Sequence, residues 1–216
     1  MSYLLRVQLP DEPGNLGALA EALGMVGANI QSVDIVETSP HGTVTDDIVV
    51  DLPKPAMADT LITAVDSVPG AEVDSIRPFS GRVDRRGQIE MLAGIATSRV
   101  LDDAVAAFPH TVTASWAIIL DTRGPVSRVA ASAAAPEEDG TVPEDIAVST
   151  ARILHPETEA WIPESWAVLD TALAACPLAD TDYVLVIGRV GGPDFLSSEV
   201  THLGNLALIT GRLLRR

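Results

Sequence analysis

The sequence predicts an α+β protein of two domains, and three observations carry that expectation. The first eighty residues read as strand, helix, strand, strand, helix, strand. A polar stretch over residues 80–88, bounded by Gly81 and Gly87 and without apolar period, then breaks the pattern. The remainder carries one strongly apolar strand, Tyr183–Arg189, and closes on a long helix. A chain of 216 residues with 47% hydrophobic content has room and core material for two small domains. They are placed at 1–80 and 89–216, with 81–88 as the linker.

In the first domain, residues 3–9 form a strand with Leu5, Val7 and Leu9 on one face. Pro10-Asp11-Glu12-Pro13-Gly14 is a turn, and Asn15 is placed as the cap of the helix that follows. Leu16, Leu19, Ala20, Leu23 and Val26 recur at helical spacing and predict one buried face. Gly27 is suited to the left-handed conformation that ends a helix. Asn29–Thr38 and Thr43–Leu52 are strands joined through Pro40-His41-Gly42, hence an antiparallel hairpin. Residues 55–67 predict a second helix, with Met57, Leu61, Ile62 and Val65 at helical spacing, and Ala71–Phe79 a last strand. This order is the split βαβ, ferredoxin-like arrangement, with both helices on one face of a four-stranded sheet. The other face is then bare, and dimerisation or docking is expected to cover it.

Asp11-Glu12-Pro13-Gly14-Asn15-Leu16-Gly17-Ala18-Leu19, followed by Gly27-Ala28-Asn29-Ile30, resembles the ACT domain over about residues 1–80. Independently of that resemblance, Gly14 lets backbone pass close to a ligand, and a helix beginning at Asn15 turns unpaired N–H groups and a partial positive charge outward. A carboxylate fits there. The resemblance implies a small ligand, commonly an amino acid, bound between two such domains by Asp11, Gly14, Asn15, Leu16, Asn29 and Ile30. Asp11 either pairs with an α-amino group or bonds its own turn backbone, and Asn29 either meets ligand or caps the preceding turn. Serine-binding ACT domains of phosphoglycerate dehydrogenases carry a histidine where this chain has Leu9, so serine is not implied.

In the second domain, Ile89–Phe108 predicts one helix ended by Pro109, and Thr111–Asp121 and Val126–Ala133 predict a hairpin. Ala134–Asp145 reads as a surface loop, and Trp166–Ala175 as a helix. After Tyr183–Arg189 come Gly191-Gly192-Pro193-Asp194-Phe195 and a helix capped by Ser197 or Ser198 and running through Leu214. That ending resembles a GAF-type domain and implies an α+β fold around a central antiparallel sheet, with no ligand residues carried over.

The formal charge of −16 disfavours nucleic acid and anionic membrane surfaces as partners. A single cysteine, Cys176, fits a reducing compartment, and the absence of a charged, apolar leader or spanning segment points to the cytoplasm. Lys54 is the one lysine among fourteen basic residues, which together with the many alanines fits a GC-rich bacterial source. His41, His110, His155 and His202 follow no metal-binding spacing, no cofactor motif is present, and Cys176 reads as a structural thiol. The expectation is a regulatory, homodimeric amino-acid sensor and not an enzyme. A ligand-free dimeric adaptor and an enzyme concealed in residues 89–216 are the alternatives.

Overall fold

The structure is a computed structural model that describes residues 1–54, 56–79, 85–141, 143, 146 and 148–215. The chain divides into two compact units, Met1–Ser80 and Gly81–Arg216. Half of the expected linker, residues 81–84, lies outside the described residues.

In the first unit the order is β1 (Ser2–Pro10), α1 (Asn15–Met25), β2 (Asn29–Thr38), β3 (Thr43–Asp51), α2 (Asp59–Asp66) and β4 (Glu72–Pro78). Among the described residues these strands form a four-stranded sheet of order β2-β3-β1-β4, the split βαβ topology. Leu5, Val7 and Leu9 of β1 and Ile48 and Val50 of β3 join Leu19, Leu23, Leu61 and Val65 of the helices in one core. The α1 terminus follows from Gly27. At φ +78 it donates to Gly24 O while Ala28 donates to Leu23 O, the Schellman pair of bonds that satisfies the last carbonyls.

Two expectations for α1 are corrected. Its buried positions are Leu19 and Leu23, whereas Leu16 is 42% exposed, because the helix rests on the sheet by a narrow stripe. Asn15 does not cap it; its amide donates to Pro10 O and braces the turn instead. The helix α2 is also shorter than its apolar spacing implies, leaving Met57 exposed before its first turn. The sheet face away from the helices is not bare at its centre. Leu4, Arg6, Asp47 and Val49 are all buried there, and Arg6 grips Asp47 with two bonds of 2.7 and 2.8 Å.

The second unit runs α3 (Arg85–Ser98), α4 (Leu101–Thr111), β5 (Trp116–Asp121), β6 (Ser127–Ala131), β7 (Arg152–Leu154), a short 3-10 turn (Glu164–Trp166), β8 (Ala172–Leu178), β9 (Tyr183–Arg189) and α5 (Ser197–Leu214). Its described strands make a five-stranded antiparallel sheet of order β6-β5-β9-β8-β7. The apolar strand Tyr183–Arg189 is central, as its composition requires. One sheet face packs on α3, α4 and α5 through Ile95, Phe108 and Leu206, and the other holds Trp116, Trp161 and Trp166 edge to face. Gly188 stands opposite Trp116, and a Cβ there would sit 2.1 Å from the indole, so only glycine leaves room for that ring.

Three readings of this half are corrected. The predicted helix over 89–108 is two helices, broken where Arg99 takes φ 54, and Pro109 lies inside the second instead of ending it. The predicted helix at Trp166–Ala175 is instead the end of the 3-10 turn, a connecting turn and, from Ala172, the start of strand β8, whose interior is buried between two covered faces. The last helix is entered through Leu196, whose N–H donates to Glu199 Oε2 at 2.9 Å, and neither serine caps it.

One electrostatic brace supports the segment after β7. Glu159 accepts from Arg152, from the His155 N–H and from the Trp161 indole, and its carboxyl is lowered to about 2, chiefly by the Arg152 guanidinium. Because the folded value lies below the ordinary 4.5, this stabilisation is complete above that pH and is lost as pH falls toward 2. A Glu159→Gln variant is therefore expected to lose less stability than the parent between neutral pH and pH ~3. The difference should be about 1–2 kcal/mol, since Arg152 is partly solvated, and urea denaturation at the two pH values reads it.

Candidate functional site: the turn before the first helix

Strand β1 ends where Asp11 N–H donates to Gly42 O at 2.9 Å, tying the turn to the β2–β3 connection. Glu12 N–H returns to Pro10 O and Asn15 N–H to Glu12 O, while the Asn15 amide donates to Pro10 O at 3.0 Å. The turn is therefore held by its own bonds. Gly14 at its crest has φ +103, and a Cβ there would meet no atom within 4 Å, so the backbone faces open space. Helix α1 has no side-chain cap. The Ala18 N–H reaches Gly14 O, but among the described residues the N–H groups of Leu16 and Gly17 have no acceptor. Exposed donors at a positive helix end are a ready cradle for a carboxylate.

Asp11, Gly14 and Leu16 are exposed around this cradle, and Asn15 is half-buried. Asn29 and Ile30 are elsewhere. Asn29 pairs with Asp51, which also pairs with Ser2, whereas the turn follows Pro10 at the other end of β1. Eight residue steps of strand separate the two levels, about 26 Å. The six residues do not form one site within a single chain. Asn29 is exposed, and its side is occupied by Asp51, which accepts from Ser2 and Gln31.

The sequence reading missed Asp46. It lies on β3 between Val7 and Ile35, on the helix-bearing side of the sheet, 2% exposed, and its Oδ1 has no hydrogen-bond partner. Burial pushes its carboxyl up, and the nearby Asp47, Asp34 and Asp11 carboxylates add to the rise. The coupling to Asp11 ties this buried acid electrostatically to the turn. An ammonium group beside them would reverse the rise and satisfy the orphaned oxygen. The signal was present in the sequence. Asp46-Asp47 inside a strand forces one of two acids onto each face, and acids are depleted in strands.

The turn thus offers donors for a carboxylate and, on the same unit, acidic groups for an ammonium. Burial drives the Cys176 thiol well above its ordinary range, which leaves it protonated and inert. All four histidines are exposed, and among the described residues no three His, Cys, Asp or Glu side chains gather to hold a metal ion. No described helix is long and apolar enough to cross a membrane.

No protein-family profile matches the chain, and no curated protein matches it. Solved structures similar to it include a formyltetrahydrofolate deformylase from Pseudomonas putida, 10% identical with TM-score 0.31, the likeness covering 45% of this chain and 39% of that one. The chain thus spans about two fifths of the length of that deformylase. An ACT domain protein from Streptococcus pneumoniae is 16% identical with TM-score 0.30, over 36% of this chain and 88% of that one. An unknown protein from Galdieria sulphuraria is 16% identical with TM-score 0.34, over 87% of this chain and 78% of that one. At these identities and scores the likenesses lend the functional reading no weight, and the topology and the turn carry it.

Proposed function

We propose that this chain is a regulatory protein whose first unit is an ACT-type sensor of a small zwitterionic metabolite, an amino acid by its chemistry. The uncapped start of α1 beside Gly14 carries the reading. The ligand carboxylate takes the Leu16 and Gly17 N–H groups, and its ammonium is drawn by Asp11 and Asp46. Asn29 and Ile30 belong to the site only if two chains lie side by side in opposite sense, bringing the turn of one to the far sheet end of the other. The proposal is therefore a dimer with the ligand at its seam. Binding acts as a signal because the ligand prefers the assembled state. The second unit, with its central apolar strand, Gly/Pro loop, buried Phe195 and closing helix, is taken as a GAF-type output or second sensing domain. Catalysis is not part of this reading.

The test is a thermal melt of the full chain against the common amino acids, with sedimentation to follow assembly. A ligand at 100-fold over its Kd adds about 2.7 kcal/mol. Asn29→Ala is expected to weaken binding about tenfold or more, roughly the loss of one hydrogen bond to a charged group, and to reduce ligand-driven dimerisation with it. A ligand that binds the Asn29→Ala chain unchanged would move the site away from the seam. No shift with any amino acid would leave a ligand-free adaptor.

A further inference from the structure

The second unit contains a cavity of about 670 Å³ beside β7 and β8 that the sensor reading does not use. That volume suits a small organic molecule. Its apolar floor is formed by Ile153 and Ala172, both half-buried, and its walls carry the exposed Glu157, Asp170 and Asp194 with His155, whose Nδ1 lies 3.4 Å from Glu157 Oε1. Among the described residues no lysine or arginine lines it. The three carboxylates come from three separate segments: the stretch after β7, the approach to β8, and the β9–α5 connection. Among the described residues no trio of acids or histidines is close enough to chelate one ion. A point cation therefore finds no cage here, whereas an elongated cation with an apolar body meets both the floor and the separated charges.

The walls are set before any ligand arrives. On one side Glu159, gripped by Arg152, accepts from the His155 N–H at 2.9 Å. On the other the wholly buried Arg189 donates to the carbonyls of Pro193 and Asp194 at 3.1 and 3.4 Å. Walls fixed in this way spare the ligand the cost of ordering them. Leu169 and Asp170 both hold left-handed φ, at 58 and 54, a conformation that costs energy for non-glycine residues and recurs at ligand sites.

We propose that this cavity is a second ligand site, independent of the turn before α1, and that it takes an aliphatic diamine or a comparable extended organic cation. The test is calorimetry on the full chain with 1,5-diaminopentane at physiological salt, against pentylamine, 1,5-pentanediol and calcium chloride. The diamine is expected to bind about threefold more tightly than the monoamine, the worth of one further ion pair between exposed charges. Asp170→Asn with Asp194→Asn should weaken it about tenfold or more, and Ala172→Leu, which fills the floor, should abolish it. Glu137→Gln with Glu138→Gln removes as much charge elsewhere in the same unit and should leave binding unchanged. Equal weakening by that control would reduce the effect to diffuse attraction by a chain of charge −16 and overturn the site. Tight binding of calcium or of the diol, or no binding of the diamine, would overturn it equally. Asn29→Ala should leave diamine binding intact, so failure of this site and failure of the amino-acid sensor are read separately.

Discussion

Replacing Arg189 by methionine is expected to destabilise the second unit by about 3–5 kcal/mol, the range for breaking a buried ion pair from one side. Arg189 is fully buried at the end of the central strand β9, and its guanidinium joins four parts of the unit. It donates to Thr113 O at 3.0 Å and Thr113 Oγ1 at 2.6 Å before β5, to Pro193 O after β9, and to Glu199 Oε1 at 2.6 Å in the first turn of α5. The Phe195 ring lies 4.1 Å from it and adds a cation–π contact. Methionine keeps much of the length and none of the donors. Glu199 would lose its charged partner, and the carbonyls of Thr113, Pro193 and Asp194 would lose a donor. All three tryptophans lie in this unit, so the shift of the tryptophan-fluorescence midpoint in urea measures the loss. A change below about 1 kcal/mol would mean that water reaches the site and the network is not dry. Arg189→Lys separates charge from geometry. It restores a cation without the planar fork, and most of the loss should remain.

How much of this was legible in the sequence depends on what marks each element's ends. In the first unit the boundaries carry glycine or proline: Pro10 to Gly14 before α1, Gly27 after it, Pro40 and Gly42 in the hairpin, and Pro69 and Gly70 before β4. These residues act through their own dihedral limits, so a local reading finds them. The second unit also breaks where no such residue stands. Arg99 interrupts a continuous apolar period between α3 and α4, and only the packing of two helices on one sheet requires the bend. Strand β8 is written Ala-Leu-Ala-Ala-Cys-Pro-Leu, rich in good helix formers and without alternation, because both its faces are covered. Pairing with β7 and β9 overrides that local preference. The site divides in the same way. The turn and Gly14 were visible, but the distance from the turn to Asn29 depends on β1–β3–β2 register, which no local motif records.

Asp47→Ala is expected to cost the first unit about 3–5 kcal/mol, for the same physical reason in a different setting. Arg6 and Asp47 face each other across β1 and β3, 2% and 4% exposed, in a bidentate pair on the sheet face away from the helices. Removing the carboxylate leaves a guanidinium in a dry site without the two-point acceptor its geometry matches. The first eighty residues contain no tryptophan, so far-UV circular dichroism reads this loss while the fluorescence midpoint should hardly move. A companion variant decides what the pair is for. Arg6→Met with Asp47→Leu removes both charges, and if the pair is a cost of desolvation offset by attraction, stability returns to within about 1 kcal/mol of the parent or exceeds it. Asp46 then provides the link to sensing. Burial is the main cause holding the Asp46 carboxyl up, with the charge of Asp47 adding to it, so removing the Arg6–Asp47 pair leaves the larger cause in place. The direct test of Asp46 is therefore Asp46→Asn, which keeps the shape and removes the charge. Weaker amino-acid binding by a stable Asp46→Asn chain would place Asp46 in the site, and unchanged binding would confine the buried acids to the architecture of the sheet.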